Sequence, residues 1–327
     1  MQFWQQKGLI AWILFPISLL FKLCSSIRRY CYQFHLFETY KAPVPVIVIG
    51  NITVGGTGKT PLVIALANAL FNAGYKVGII SRGYKSHPQM YPYAVSDSSS
   101  ADVAGDEPLL IYQKTDLPVV IDPERCRAVQ KLLAIHHCDV IISDDGLQHY
   151  HLHHDIEIAV IDGDKRFGNG FCLPAGPLRE NVSRLQTVDF VVANGKAKPN
   201  EILMQLNPGN AYLLNDTTVT KPLAEFNGQQ AYALAGIGHP QRFFDMLKRM
   251  GIQLIVEKPY ADHYHFKGNE FDFADQTKPI FITEKDAVKC RDFATDNVWV
   301  IPVEAVLSDD FFQSVIRRLK AVKGDDE

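Results

Sequence analysis

The 327-residue sequence predicts an α/β protein in which parallel strands alternate with helices. Short apolar runs recur along the chain, and each is followed by a stretch with helical composition, as in βαβ units. One such run, 44–49, leads through a glycine-rich turn into a helix-forming stretch, 62–73. This order predicts a parallel sheet with a ligand site at the carboxyl end of a strand.

The composition is that of an ordinary globular protein. Hydrophobic residues make up 47% of the chain, and 327 residues correspond to about two domains. The formal net charge of -3 provides no bulk electrostatic attraction for nucleic acid, so no nucleic-acid partner is expected. The six cysteines form no C-x-x-C pair and no metal-ligand spacing, which indicates reduced thiols in a cytosolic compartment.

The N-terminal segment differs from the rest of the chain. Residues 8–21 are almost wholly apolar, and Lys22 and Arg29 follow them. The run is shorter than the ~20 apolar residues that a spanning helix needs, and Pro16 interrupts it. A signal peptide is disfavoured because no A-x-A site follows. We expect a helix that lies on the membrane surface and contacts anionic lipid; a helix buried in the fold is the alternative.

The glycine-rich turn has the features of a phosphate-binding loop. It reads GNITVGGTGKTP from 50 to 61, with Thr53 at the position of the first glycine in G-x-x-x-x-G-K-[ST]. Glycines allow backbone N–H groups to point at phosphate oxygens, and the helix N-terminus adds partial positive charge. Lys59 is expected to reach the β- and γ-phosphates, and Thr60 to hold Mg²⁺. The predicted nucleotide-binding residues are Thr53, Val54, Gly55, Gly56, Thr57, Gly58, Lys59 and Thr60.

Acidic residues occur in pairs at two further places. Asp106 and Glu107 precede a helix, where complementing the helix dipole is an equally good explanation. Asp144 and Asp145 end an apolar strand, which is where phosphate-loop enzymes hold Mg²⁺; a turn-forming role is the alternative. The predicted metal ligands are Thr60, Glu107, Asp144 and Asp145.

The segment from 146 to 155 is rich in histidine. A zinc site is disfavoured there, because the segment has no H-E-x-x-H arrangement and no cysteine nearby in the sequence. His149 and His151 alternate as they would on an extended segment, so we expect a polar loop.

The remaining pattern predicts two folded units after the N-terminal segment. Strands are expected at 156–162, 187–194, 231–235, 252–256, 280–283 and 298–303, a helix at 241–250, and a solvated tail at 320–327. Residues 196–227 have the composition of a crossover between domains. The predicted division is 1–41, a membrane-associated apolar segment; 42–222, a nucleotide-binding domain of P-loop NTPase type; and 223–327, a second, smaller α/β domain that closes over the site.

Six short motifs recur in this order along the chain. They are GNITVGGTGKTP at 50–61, GDEP at 105–108, DDGLQH at 144–149, AGIGHP at 235–240, DH at 262–263 and TEKDA at 283–287. In combination they resemble the tetraacyldisaccharide 4'-kinase family, over nearly the whole chain, and Thr53 is that family's own form of the loop. The resemblance implies ATP, Mg²⁺ and an acylated glucosamine disaccharide 1-phosphate, a lipid A precursor, at the cytoplasmic face of the inner membrane of Gram-negative bacteria.

The residues and the resemblance together indicate a catalytic group. Asp106 is expected to accept the proton of the substrate hydroxyl, and the resemblance points to the same residue. His263 in the second unit is expected to hydrogen-bond Asp106 across the cleft; a domain-closing contact with no catalytic part is the alternative. Lys59 completes the predicted catalytic residues. The predicted substrate-binding residues are Arg125, Gln148, His149, Arg179 and Glu180. The two arginines would hold phosphate, with ordinary surface ion pairs as the alternative.

Two other functions remain to be weighed. A membrane-associated ATPase of partitioning or transport type also combines a phosphate-binding loop with a bilayer, but its loop carries a lysine where Val54 stands here. A regulatory GTPase would need an N-K-x-D pattern, and the sequence around Asn194 lacks its aspartate.

Overall fold

The computed structural model describes residues 2–293 and 295–324, and two β-sheets organise this part of the chain. The helices are α1 Leu9–Gln33, α2 Lys59–Asn72, α3 Ala101–Ala104, α4 Asp106–Thr115, α5 Arg125–Ile135, α6 Pro240–Arg249, α7 Glu284–Cys290 and α8 Asp309–Gly324. The strands up to residue 208 are β1 Val46–Gly50, β2 Val77–Ser81, β3 Tyr93–Ala94, β4 Val119–Ile121, β5 Val140–Asp144, β6 Ile156–Asp162, β7 Phe190–Asn194 and β8 Ile202–Pro208. The later strands are β9 Ala211–Leu213, β10 Thr220–Lys221, β11 Gln230–Ala235, β12 Gln253–Pro259, β13 Ile280–Thr283, β14 Val298–Ile301 and β15 Val303–Val306.

The first sheet has the strand order β15-β8-β7-β6-β1-β5-β2-β4-β3. Its strands run parallel except for β3 and β15 at the two edges. Every residue of β1, β2 and β5 is buried, because helices cover both faces of a parallel sheet and leave its central strands as continuous apolar runs. Strand β1 pairs with β5 on one side and with β6 on the other. A crevice for a ligand therefore opens at the carboxyl end of β1.

The second sheet has the order β10-β9-β14-β13-β11-β12. Its four strands β11 to β14 are parallel, and β9 and β10 extend it as an antiparallel edge. The rings of Phe281 and Trp299 lie 5.0 and 5.1 Å from that of Phe226, and the three form part of one apolar cluster. The predicted α/β fold with a second, smaller sheet is confirmed.

The chain divides between the sheets differently from the predicted boundary at 222/223. The predicted crossover 196–227 contains β8, β9 and β10, of which the last two belong to the second sheet. Strand β8 cannot be recognised in the sequence, because polar Gln205 and Asn207 interrupt its apolar residues and it therefore contains no long continuous apolar run. The chain passes from the first sheet to the second between β8 and β9. There the backbone N–H of Gly209 donates to the carbonyl of Pro302 over 3.0 Å.

The C-terminal residues return to the first sheet. The strand predicted at 298–303 is two strands, since Pro302 has no N–H to continue the ladder of β14. Strand β15 then pairs with β8, and α8 packs Phe311, Val315 and Leu319 into the core of the first sheet. The predicted tail is helical as far as Gly324, and its last residues, 325–327, lie outside the described part of the chain.

One side of helix α1 packs on the segment around residues 171–172, and its other side is exposed. The Ser18 hydroxyl donates to the carbonyl of Cys172 over 2.7 Å, and the ring centroids of Phe15 and Phe171 lie 4.6 Å apart. The helix has 25 residues and contains an apolar stretch of 18 residues, only 11% of which is buried. Its length and composition would suffice to cross a membrane, contrary to the expectation from residues 8–21 alone. The alternative of a helix buried in the core is wrong.

We expect Leu319→Ala to lower the free energy of unfolding by about 2–5 kcal/mol, because the side chain is fully buried in the core of the first sheet. The neighbouring change Lys320→Ala, at an exposed position, should alter it by less than about 0.5 kcal/mol. Urea unfolding followed by circular dichroism measures both. Equal stability of the two variants would show that α8 does not belong to this core.

Candidate functional site

A cavity of about 1540 Å³ lies between the two sheets. The glycine-rich loop lines one wall, and Asp144 and Asp145 at the end of β5 line it nearby. Helix α1 contributes side chains including Phe21 and Arg28, and the second sheet contributes residues including His263. The cavity thus joins the predicted nucleotide site to the apolar N-terminal helix.

The glycine-rich loop is held from behind by two asparagines. The side-chain amide of Asn51 donates to the carbonyl of Gly55 over 3.2 Å, and that of Asn194 donates to the carbonyl of Thr57 over 3.1 Å. Gly58, at φ +93°, caps α2, and a Cβ there would come within 2.8 Å of the Asn194 amide nitrogen. The sequence did not indicate this role for Asn51, and it suggested Asn194 only as a residue that could recognise guanine in a GTPase. Its amide instead supports the loop.

The N-terminal part of the loop is bonded to a neighbouring segment. The backbone N–H of Val54 donates to the carbonyl of Pro177 over 2.8 Å, and Thr53 forms a β-bridge with Leu178. These two predicted nucleotide-binding residues therefore fix the position of the loop. The backbone donors that follow them, from 55 to 60, lie nearer the helix N-terminus.

The carboxylates at the end of β5 have different surroundings. One Asp144 oxygen accepts from the Ser81 hydroxyl over 3.1 Å, whereas the other, Oδ1, is buried without a hydrogen-bond partner among the described residues. Burial, together with the charge of Asp145, raises the pKa of Asp144 to about 6. Asp145 lies 3.5 Å from Lys59 Nζ and 3.2 Å from Arg179 Nη1. Although burial opposes it, these cations hold the pKa of Asp145 below its usual range.

The predicted hydrogen bond between the two units is present. His263 Nδ1 lies 3.0 Å from Asp106 Oδ2, and Lys289 Nζ lies 3.7 Å from the same oxygen. Asp106 is the first residue of α4 and is nearly buried. Burial raises the pKa of its carboxyl, but the hydrogen bond from His263 and the charge of Lys289 outweigh it and lower that pKa. Asp106 is therefore ionised at neutral pH and can accept a proton.

Lys285 is a residue of the site to which sequence reasoning gave no role, although it lies within the TEKDA motif. Its Nζ lies 2.5 Å from Glu107 Oε1, 3.1 Å from Asp262 Oδ1 and 3.5 Å from His263 Nε2. Burial opposes the charge, but the two carboxylates raise the pKa of Lys285. Glu107, a predicted metal ligand, is thus ion-paired with the second sheet.

The structure brings four of the five predicted substrate-binding residues together in the cavity. The Gln148 amide donates to Glu180 Oε1 over 2.7 Å, and Tyr150 donates to the other Glu180 oxygen. Arg179 lies beside Gln148 Oε1 at 3.5 Å. His149 also lines the cavity, and burial with the nearby arginines lowers its pKa to about 4, so the ring is neutral.

Arg125 is the predicted substrate residue that the structure does not bring into the cavity. It is 1% exposed, and its two terminal nitrogens donate to the carbonyls of Asp122 and Asp144 over 2.9 and 3.1 Å. Burial lowers its pKa to about 10, which leaves it charged. Arg125 therefore positions the backbone at the end of β5.

The second sheet also meets the glycine-rich loop directly. A Cβ on Gly238 would lie 3.6 Å from the backbone nitrogen of Gly56, which is van der Waals contact. Nearby, Arg242 donates to Asp162 Oδ1 over 2.8 Å, and Lys165 Nζ lies 2.9 Å from His239 Nδ1. These contacts hold α6 against the carboxyl end of β6.

Comparisons with known proteins agree on one family. The family model described as tetraacyldisaccharide-1-P 4'-kinase matches residues 10–320. The tetraacyldisaccharide 4'-kinase of Actinobacillus pleuropneumoniae serotype 5b (strain L20) is 47% identical over 325 residues, covering 98% of this chain and 99% of the relative. That of Psychromonas ingrahamii is 46% identical over 323 residues, covering 99% of this chain and 100% of the relative. Among solved structures, LpxK from Aquifex aeolicus in complex with ATP is similar with a TM-score of 0.79 and 27% identity, covering 95% of this chain and 100% of the other.

We expect Arg125→Met and Arg179→Met to differ in their effect on stability. Removing Arg125 leaves two buried carbonyls without this donor and should lower the free energy of unfolding by about 2–4 kcal/mol. Arg179 is 30% exposed, and the same change should cost less than about 1 kcal/mol. Urea unfolding measures both. A stable Arg125→Met protein would contradict the buried structural role.

Proposed function

Because the chain belongs to the tetraacyldisaccharide 4'-kinase family, we propose that phosphate passes from ATP to a lipid within the cavity between the two sheets. The chain is an ATP-dependent kinase of lipid A biosynthesis that phosphorylates the 4'-hydroxyl of a tetraacyldisaccharide 1-phosphate. The observation that carries the proposal is that one cavity joins the glycine-rich loop, the carboxylates and α1. The alternative of a partitioning or transport ATPase is not retained, because the match spans nearly the whole chain.

In this proposal the loop at 53–60 binds the phosphates of ATP. Thr53 and Val54 anchor the loop on the segment 177–178, and the N–H groups from Gly55 to Thr60 supply the donors. Lys59 turns from Asp145 to the β- and γ-phosphates, because a phosphate carries more negative charge than one carboxylate. Lys59 also stabilises the charge that develops on the transferred group.

The oxygen-bearing side chains next to the proposed phosphate site are of the kind that binds Mg²⁺. We assign it to Thr60, Asp144 and Asp145, with Glu107 bound directly or through water once Lys285 releases it. The buried Oδ1 of Asp144 has no hydrogen-bond partner among the described residues, which supports this assignment, since a buried carboxylate oxygen is costly without a cation or donor. When bound, the ion would neutralise negative charge on the phosphate oxygens.

Asp106 acts as the base in the proposed mechanism. Its carboxylate accepts the proton of the 4'-hydroxyl as the oxygen attacks the γ-phosphorus. His263 keeps the carboxylate oriented through the hydrogen bond from Nδ1, and the position of this pair between the sheets lets their approach exclude water. Lys285 holds Asp262 next to His263, which supports this orientation.

The lipid is proposed to enter from the side of α1. Exposed apolar side chains of that helix contact the membrane, and Arg28, which lines the cavity, faces anionic headgroups. The sugar and its phosphate are bound by Gln148, His149, Arg179 and Glu180. Arg125 acts instead through the backbone carbonyls of Asp122 and Asp144. The mid-helix contact of Ser18 with Cys172 supports an orientation along the membrane surface. We propose that this surface is the cytoplasmic face of the inner membrane.

A double-mutant cycle tests the proposed base. With radiolabelled ATP and acylated disaccharide 1-phosphate, Asp106→Ala should lower kcat by about 10²–10⁴-fold, because the hydroxyl proton loses its acceptor. His263→Ala alone should also lower kcat, but should add little in the Asp106→Ala background, since residues that act as a unit are not additive.

Lys59→Ala serves as the reference variant with an incomplete phosphate site in the same assay. Losses at Asp106 and His263 that simply add would refute the dyad. Transfer at the wild-type rate by folded Lys59→Ala would refute the nucleotide site itself.

The membrane contact predicts a separate result. The double variant Ile13→Glu/Leu20→Glu, at two exposed positions of α1, should lose most of its flotation with vesicles that contain anionic lipid. Met90→Glu, at an even more exposed apolar position outside α1, is the matched control and should float like the parent. Equal flotation of all three proteins would exclude α1 as the anchor.

A further inference from the structure

We propose that Glu124, Cys126 and His151 form a binding site for a thiophilic divalent cation such as Zn²⁺. Their ligand atoms, a carboxylate oxygen, Sγ and a ring nitrogen, all lie within 4.8 Å of one another. None of the three lines the cavity of the transfer reaction. The site is therefore distinct from that of the Mg²⁺ ion assigned to the phosphates.

The N-terminus of α5, with the capping residue before it, supplies two of the ligands. Glu124 directly precedes the helix, and its carboxylate accepts from the backbone N–H of Cys126 over 3.4 Å. The backbone N–H of Glu124 in turn donates to Asp122 Oδ1 over 2.7 Å. The carboxylate and the thiol are thus held on one side of a fixed helix start.

The histidine-rich segment supplies the third ligand. Its backbone is fixed by Tyr40, whose N–H donates to the carbonyl of His151 over 2.7 Å and which forms a β-bridge with buried Leu152. His151 Nδ1 lies 3.6 Å from Glu124 Oε1. Nitrogen and oxygen ligands of a tetrahedral zinc ion are about 3.4 Å apart, so this pair needs only a small side-chain rotation.

The donor set selects the kind of cation. Thiolate and imidazole favour Zn²⁺ or Co²⁺ and do not suit Mg²⁺. Thiolate and carboxylate together balance the two positive charges, and the thiol proton passes to solvent when the Sγ–metal bond forms. Burial, with the charge of Glu124, raises the pKa of the Cys126 thiol, so this proton release opposes binding. His151 and Glu124 are about half exposed, which leaves room for water as the fourth ligand.

The sequence argued against zinc because no cysteine lies near the histidines, but the fold brings Cys126 to them from an earlier helix. A bound cation would link α5 to the segment that follows Asp145. Gln148 and His149 lie on that segment, so the ion would stabilise one wall of the cavity without entering it.

Cobalt titration of the full chain tests the proposal. Cys24→Ser/Cys31→Ser is used as the parent, because these two thiols are not buried. Co²⁺ should produce a thiolate charge-transfer band with a stoichiometry of one, and Zn²⁺ but not excess Mg²⁺ should displace it. Cys126→Ser should abolish the band, whereas Cys138→Ser, at another buried thiol of the same apolar cluster, should retain it.

Glu124→Gln and His151→Gln extend the test to positions where folding is not at stake, because both side chains are half exposed. Each should weaken the binding of Co²⁺ at least tenfold, whereas His136→Gln, at an exposed histidine beyond α5, should bind like the parent. A parent without the band, a band that survives Cys126→Ser, or unchanged affinity in both Gln variants would overturn the proposal. The titration measures the binding of Co²⁺ and not phosphate transfer, so its outcome does not depend on the proposed mechanism.

Discussion

The buried carboxylate of Asp144 is the constraint around which the nucleotide site is built. It lies at the end of a central strand, next to the glycine-rich loop, because β1 and β5 are paired in register with Ile49 opposite Asp144. Burying this charge is unfavourable, and one of its oxygens has no partner among the described residues. Two hydrogen bonds hold Asp144 in place. The Ser81 hydroxyl donates to its carboxylate, and the Arg125 guanidinium donates to its backbone carbonyl. Such an arrangement is expected where a cation is to be bound.

The two sheets contribute groups that pair with each other in the rest of the site. The first sheet supplies the carboxylates of Asp106 and Glu107, and the second supplies His263, Lys285 and Lys289. The pKa of Asp106 is lowered although this carboxylate is buried, because the imidazole of His263 and the ammonium of Lys289 face it. The site is therefore complete only when the sheets are in contact.

Local patterns in the sequence sufficed to predict the parallel sheet, the loop at 50–61 and the contact between Asp106 and His263. These depend on continuous apolar strands, on glycines at a helix start and on motifs of the family. Strand β8 could not be predicted, because an outer strand with mixed exposure has no apolar run. The burial of Arg125 was equally hidden, since its partners are backbone carbonyls that carry no sequence signal. Lys285 was visible in a motif, but its partners come together only in the folded chain.

The return of β15 and α8 to the first sheet makes the second sheet an insertion within the first domain. The two connections between the sheets, at Gly209 and at Pro302, lie side by side and are joined by a hydrogen bond between these two residues. An inserted body attached at two adjacent points can swing about the line through them far more easily than it can twist or shift sideways. We therefore expect the width of the cavity to change mainly by rotation about this pivot. Such a rotation would carry Gly238 and His263 toward or away from their partners together.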